Sequence, residues 1–225
     1  MVRQIFLLGI LFVIGFSQAF AVDPIKNGVY LLECPDHSSG TCFVVKQDGN
    51  LVYLATAFHV LQDGNSPVQR GVFASYTIKN DQNTLVYQKV LSADVDADIA
   101  ILSASTGYQH EVLPLYLDPI PAIDGTYVPS IAPPRITFEG FAYRNWKKTT
   151  GNLVHNHAHK VYSDAVVIPG QSGGIATIDG KCAGVISGGL LWLPAELGKK
   201  GQSVTWPARI GSSHRIKEIL DHVSK

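Results

Sequence analysis

From residue 28 onward the chain is a succession of short apolar runs separated by turn residues. Gly28-Val29-Tyr30-Leu31-Leu32-Glu33-Cys34 and Cys42-Phe43-Val44-Val45 are two of them. Leu51-Val52-Tyr53-Leu54-Ala55-Thr56 follows the turn Gln47-Asp48-Gly49-Asn50, and Asp-Gly between apolar runs is a strong hairpin signal. The same pattern predicts strands over 71–79, 85–91 and 99–103. Six short strands at this spacing point to a small closed barrel rather than an open sheet. Pro114, Pro119 and Pro121 then interrupt the pattern. Neither a helix nor a central strand tolerates that density of proline, so 114–124 is predicted as a linker. Beyond it the pattern repeats, with strands over 125–131, 136–143, 148–155, 161–167, 174–178 and 182–187 and a hairpin turn at Asp179-Gly180. Ile216, Ile219, Leu220 and Val223 recur at helical spacing behind Ser212 or Ser213 as N-cap. The fold class is therefore all-β: two six-stranded antiparallel β-barrels, over 22–113 and 125–225, the second closed by a C-terminal α-helix.

The first 21 residues follow a different pattern. Arg3 precedes an apolar stretch over 5–16, and Ala19-Phe20-Ala21 forms a small-x-small cleavage site, which together read as a signal peptide. The apolar stretch is shorter than the roughly 20 residues of a membrane span. Cleavage after Ala21 leaves a mature chain beginning at Val22, secreted or periplasmic, with no stable membrane association. Lys plus Arg number 18 and so do Asp plus Glu. A neutral chain of this kind gives no electrostatic footprint for nucleic acid. No internal repeat or low-complexity tract is present.

Candidate chemistry centres on Pro169-Gly170-Gln171-Ser172-Gly173-Gly174. Glycines around a serine let the backbone turn sharply and approach a substrate closely. Such a turn exposes the hydroxyl and can aim the N–H groups of Gly170 and Ser172 at one point, as an oxyanion hole requires. A glycine-rich turn with a solvated serine has the same sequence, so the partners decide. A serine nucleophile needs a base, and the base needs an orienting group. His59, in Leu54-Ala55-Thr56-Ala57-Phe58-His59-Val60-Leu61, is one candidate. Asp98, in Asp94-Val95-Asp96-Ala97-Asp98-Ile99-Ala100-Ile101-Leu102, is the other, with Asp94 and Asp96 as competitors. Taken singly, His59 is a core histidine and Asp98 a turn residue at a strand start. Gly170-Gln171-Ser172-Gly173-Gly174 also satisfies the G-x-S-x-G elbow of α/β-hydrolases. That elbow joins a strand to a helix, and its partners follow in the order Ser, Asp, His. Here a β-hairpin follows the serine and the candidate partners precede it, which excludes that reading.

Thr56-Ala57-Phe58-His59, Asp98-Ile99-Ala100-Ile101-Leu102 and Gly170-Gln171-Ser172-Gly173-Gly174 resemble, in order and flanks, the three motifs of the trypsin-like (chymotrypsin-fold) serine peptidases. Ser163-Asp164-Ala165 running into Ile168-Pro169-Gly170 is similar to the bacterial HtrA-type protease domain, here without a following PDZ domain. The resemblance spans roughly 28–187. It departs from digestive trypsins in having Gln171 where they carry aspartate, and in lacking their activation sequence. It implies a two-barrel peptidase that forms an acyl-enzyme, with His59 as base, Asp98 as its orienting group and Ser172 as nucleophile. Gly170 and Ser172 would form the oxyanion hole, and Val166, Ile186, Ser187 and Gly188 would lie along the substrate. Ala165, Val166, Val167, Ile168 and Ile186 would wall an apolar pocket. The substrate is then a polypeptide, and no cofactor and no metal are needed. Two alternatives on the same fold are a catalytically silent binding module and an esterase.

Two further features are expected to be structural. His155, His157 and His159 alternate and would share one face of a strand, where a solvated edge is the simpler expectation than a metal site. Three cysteines allow at most one intramolecular disulfide. Cys34 and Cys42 flank the turn-rich 35–41 and are the expected pair, leaving Cys182 free.

Overall fold

The structure, a computed structural model, describes residues 24–62, 74–119, 133–157, 159–188 and 208–223. The signal segment and the strand expected over 125–131 lie outside these residues, as do the side chains of His155 and His157.

A short helix α1 (Pro24–Gly28) leads into six strands. They are β1 (Val29–Glu33), β2 (Ser39–Asp48), β3 (Leu51–Thr56), β4 (Thr77–Lys79), β5 (Thr84–Asp94) and β6 (Ile99–Ser105). They close into one antiparallel barrel in the order β1-β2-β3-β6-β5-β4. The second barrel is formed by β7 (Arg135–Ala142), β8 (Asn145–His157), β9 (Lys160–Ser163), β10 (Ile175–Ile178), β11 (Lys181–Gly188) and β12 (Ala208–Ser212), in the order β10-β11-β12-β9-β8-β7. Closure removes the unpaired strand edges that would otherwise invite aggregation.

Helix α2 (Ser213–Val223) ends the described chain, and the Ser212 hydroxyl accepts the Arg215 N–H at 3.4 Å, as an N-cap does. Ile216, Ile219 and Leu220 are its buried face. The Asp-Gly turn between β10 and β11 has both residues left-handed, φ 49° at Asp179 and 73° at Gly180, which suits the twist of a two-residue hairpin.

The sixth strand of the second barrel is β12, which the apolar pattern did not predict. Its five residues include a glycine, an arginine and a serine, and pairing with both β11 and β9 holds it in place instead. β9 stops at Ser163, short of the predicted 167. There the Asp164 carboxylate takes the Asn152 N–H, and the Ser163 hydroxyl takes the Ala165 N–H at 3.1 Å. Among the linker residues that are described, 114–116 run along β11. Cys182 N–H donates to the Pro114 carbonyl at 2.8 Å, and Tyr116 N–H donates to the Cys182 carbonyl at 2.7 Å.

Apolar side chains form three clusters. One fills the first barrel, around Tyr30, Leu54 and Leu102. A second fills the other barrel, around Phe138, Leu153 and Ile210. The third lies between the barrels and against α2, joining Phe43, Ile99 and Ile101 to Phe141, Ile175, Val185 and Ile216. The seam between the barrels is thus itself a core.

The expected Cys34–Cys42 bridge is not formed; both cysteines are buried free thiols, and so is Cys182. The reason is strand register. Cys42 pairs across from Tyr30, and the Cys34 N–H bonds the Ser38 carbonyl. The two cysteines are therefore offset by four strand residues, about 13 Å at the usual rise, whereas a disulfide holds Cα atoms within about 7 Å. Cys34 instead donates its thiol proton to the Val60 carbonyl at 3.2 Å.

Candidate active site

Antiparallel pairing puts the end of β3 beside the start of β6, with Thr56 opposite Ala100. His59, three residues after Thr56, and Asp98, two before Ala100, therefore leave the barrel at the same rim. His59 sits in a short 3-10 turn, Phe58–Leu61. Asp98 ends the turn between β5 and β6 with φ 57°, a left-handed conformation that aspartate adopts more readily than most residues. That turn is closed by the Asp94 carboxylate, which accepts the Ala97 N–H at 2.8 Å.

The 3-10 turn and Asp98 meet at three points. The Asp98 carbonyl accepts the Phe58 N–H at 3.3 Å. Oδ1 accepts the His59 backbone N–H at 2.9 Å, and Oδ2 lies 2.8 Å from His59 Nδ1. With Nδ1 donating to the carboxylate, Nε2 is left as the basic nitrogen. The His59 side chain is 44% exposed, while that of Asp98 is only 8% exposed.

Two further donors reach Asp98 from the second barrel. The Ser187 hydroxyl donates to Oδ2 at 2.5 Å, and Arg209 Nη2 lies 3.3 Å from the same oxygen. Burial pushes the Asp98 carboxyl up. The hydrogen bond and charge of His59, together with the Ser187 hydroxyl, outweigh burial and hold it below the ordinary aspartate value.

Ser172 lies in the turn that precedes β10. Its carbonyl accepts the Thr41 N–H from β2 at 2.8 Å, and the Gly170 carbonyl accepts the Thr41 hydroxyl at 2.9 Å. Thr41 also binds Phe141 N–H through its hydroxyl and the Thr56 hydroxyl through its carbonyl. One threonine of the first barrel thus fastens the serine turn to the strand end from which His59 departs.

The glycines permit that approach. At Gly173 (φ 83°) a Cβ would lie 2.0 Å from the Thr41 carbonyl oxygen and 3.1 Å from the Ala57 nitrogen. At Gly170 (φ 95°) it would lie 2.5 Å from the Phe141 carbonyl oxygen. No other residue fits either position. Gln171 is wholly buried beneath the turn, and its Oε1 accepts the Ile168 N–H at 2.9 Å. The N–H groups of Gln171, Gly173 and Gly174 each bond a carbonyl, whereas those of Gly170 and Ser172 stay outside the backbone network of the described residues.

The structure separates the expected substrate-lining residues. Val166 is exposed, and Gly188 (φ 139°) has open space where a side chain would be. Ile186 is wholly buried and packs with Ala165 and Val167 inside the second barrel. Ser187 directs its hydroxyl to Asp98. Of the competing aspartates, Asp94 is bound to Arg215 at 2.6 Å, and Asp96 is exposed. His159 is exposed in the turn before β9.

Sequence reasoning missed Thr41 and Arg209. Thr41 carried no signal, being one polar residue in an apolar strand. A lone arginine between Ala208 and Ile210 was visible, but its strand was not recognised.

Among curated proteins none matches the chain. The family model of the trypsin-like peptidase domain matches residues 40–191, more than half of the chain and both halves of the site, and the protein belongs to that family of hydrolases.

Proposed function

We propose that the protein is a serine endopeptidase that cleaves polypeptides through an acyl-enzyme, with Ser172 as nucleophile, His59 as base and Asp98 as the orienting carboxylate. The observation that carries this reading is the double attachment of His59 to Asp98, on the strand end against which the Ser172 turn is packed. Nδ1–H on the carboxylate fixes the imidazole tautomer with Nε2 free to take a proton. His59 removes the proton of the Ser172 hydroxyl as it attacks the peptide carbonyl, and returns it to the leaving amine. Asp98 stabilises the imidazolium between those two steps. The N–H groups of Gly170 and Ser172 receive the oxyanion, a contribution of about 10² to 10³ in turnover for each such donor.

A fluorophosphonate probe tests the assignment without knowledge of the substrate. It should label the wild-type protein, and labelling should be abolished in Ser172→Ala at unchanged thermal stability and in His59→Ala at a reduced one, because the buried Asp98 carboxylate then loses a donor. Labelling that persists in Ser172→Ala overturns it. Parallel assays on peptide and ester substrates then separate a peptidase from an esterase on the same fold. Arg3, the apolar 5–16 and Ala19-Phe20-Ala21 support export, so the exported protein should begin at Val22. Exported material that still begins at Met1 would exclude this processing.

A further inference from the structure

Arg209 projects from β12 of the second barrel to the carboxylate that orients the base in the first. Its Nε is 2.9 Å from the Ser187 hydroxyl oxygen, and its Nη2 is 3.3 Å from Asp98 Oδ2. We propose that Arg209 is a positioning residue for the His59–Asp98 pair: it fixes Ser187 as a donor to Asp98 and extends activity to lower pH by keeping His59 unprotonated there. The inference rests on the reading of His59 as the base.

The direction of each hydrogen bond follows from the side chains. A guanidinium carries only donors. Ser187 Oγ must therefore accept from Arg209, which leaves its own proton directed at Oδ2, 2.5 Å away. Among the described residues, every group that hydrogen-bonds the Asp98 carboxylate is then a donor: the backbone and ring N–H of His59, the Ser187 hydroxyl and Arg209. A serine without this arginine is free to rotate its proton elsewhere.

The charge acts in the same place. A carboxylate alone stabilises an imidazolium on His59. A carboxylate already paired with a guanidinium stabilises it less, so loss of the guanidinium should favour the imidazolium. The other charged groups on the elements packed around Asp98 are Asp94 and Asp96 in its own hairpin, Arg215 and Glu218 on α2, Lys217 paired with Asp221 on α2, Lys181 of β11 paired with Asp118, and the exposed Lys89 of β5. Arg215 is held by Asp94 and by Glu218, each at 2.6 Å, and Asp96 is exposed to solvent. Arg209 is thus the cation joined to the carboxylate itself. Its side chain is 40% exposed, and solvent screens such a charge in part. The expected displacement is about half to one pH unit at a separation of several ångströms from the ring.

The experiment measures the rate of fluorophosphonate labelling against pH for wild type, Arg209→Gln and Arg209→Lys. In Arg209→Gln the midpoint of the acid limb should rise by about half to one unit. Arg209→Lys, which keeps the charge and loses the fork, should fall between the two. A purely structural ion pair changes stability or the plateau rate and leaves the midpoint in place. The titration of His59, followed by NMR in the Ser172→Ala background, reads the same displacement without requiring catalysis. It therefore separates failure of this inference from failure of the functional reading. Arg209→Met repeats the measurement if the glutamine variant does not fold. A titration midpoint that stays unchanged or moves down on loss of the guanidinium overturns the proposal.

Discussion

Asp98→Asn is the substitution for which the structure makes the sharpest demand, because every group of the described residues that hydrogen-bonds this carboxylate is a donor. An amide offers one acceptor oxygen and one NH₂. If the NH₂ takes the place of Oδ2, it confronts His59 Nδ1–H, the Ser187 hydroxyl and Arg209, and His59 must change tautomer. If the NH₂ takes the place of Oδ1, it opposes the His59 backbone N–H at about 2.9 Å. Neither orientation satisfies all four donors. A serine protease whose histidine holds the wrong tautomer loses about 10⁴ in turnover, and that is the expected loss here.

Stability should fall as well, in contrast to Ser172→Ala. One or two unmatched buried donors cost about 1–3 kcal/mol each, and the buried end of Arg209 loses its counter-charge. A net loss of about 2–4 kcal/mol lowers Tm by about 5–15 °C in a domain of this size. The pH dependence has a definite sign. Asp98 titrates below its ordinary value of 3.8 when folded, so its contribution is complete above that value and is lost as pH falls through the lower folded one. The Tm gap between wild type and Asp98→Asn should therefore be full at pH 6 and narrow below about pH 4. Calorimetry across that range, with labelling rates on the same samples, checks both parts. A loss of activity under tenfold, or a Tm gap that widens on acidification, would refute the reasoning.

Three other expectations follow from the same geometry. Gly173→Ala places a Cβ 2.0 Å from the Thr41 carbonyl oxygen in a left-handed backbone; a destabilisation of at least about 3 kcal/mol with loss of labelling is expected, and a Tm equal to wild type would contradict it. Asp94→Asn keeps an oxygen for the Ala97 N–H but loses the Arg215 ion pair, so denaturant titration should show a loss of about 1–2 kcal/mol with Ser172-dependent labelling retained. Burial, offset by the Ala97 N–H and Arg215, leaves Asp94 below its ordinary value too, so this loss should also shrink below about pH 4; loss of labelling at a temperature where the variant is folded would assign Asp94 a role in the site. Burial pushes the Cys182 thiol up to about 12 and raises Cys42 and Cys34 as well, so alkylation of unreduced protein should add nothing at Cys42 or Cys182 when folded and three adducts when unfolded, and one adduct in the unfolded state would restore the disulfide.

The two barrels were legible from local patterns, and the His59–Asp98 pair from the resemblance of its flanking motifs, in their order, to those of the trypsin-like peptidases. Apolar runs broken by Asp-Gly define strands, and a residue at a strand end inherits its position from the pairing of that strand. What was not legible depends on register or on long-range closure. Cys34 and Cys42 look close in sequence, yet extended strands move them apart at every residue. β12 lacks an alternating apolar pattern, and pairing to β9 and β11 makes it a strand. Ser187 was placed along the substrate from its motif, and the bond of its hydroxyl to Asp98 depends on docking of the two barrels, which the motif does not encode. Thr41 binds four groups from three segments distant in sequence, and no local pattern encodes such a hub.

Placing the site at the seam has an energetic consequence for the two barrels. Asp98 belongs to the first barrel, and two of the donors that satisfy its buried oxygen, Ser187 and Arg209, belong to the second. Thr41 reverses the relation: a first-barrel residue holds the backbone of the second barrel's serine turn. Each barrel thus carries polar groups that the other helps to satisfy, and an unsatisfied buried group of this kind costs about 1–3 kcal/mol, more when charged. Apolar packing across the seam favours docking in general, since hydrophobic contact is non-directional. The polar exchange selects one docked arrangement among many, because a shift of an ångström or two breaks the Asp98 and Thr41 hydrogen bonds together. That arrangement is the one in which the Ser172 turn meets the strand end carrying His59. By this construction, docking of the barrels both adds the Ser187 and Arg209 donors to Asp98 and brings the Ser172 turn to that strand end.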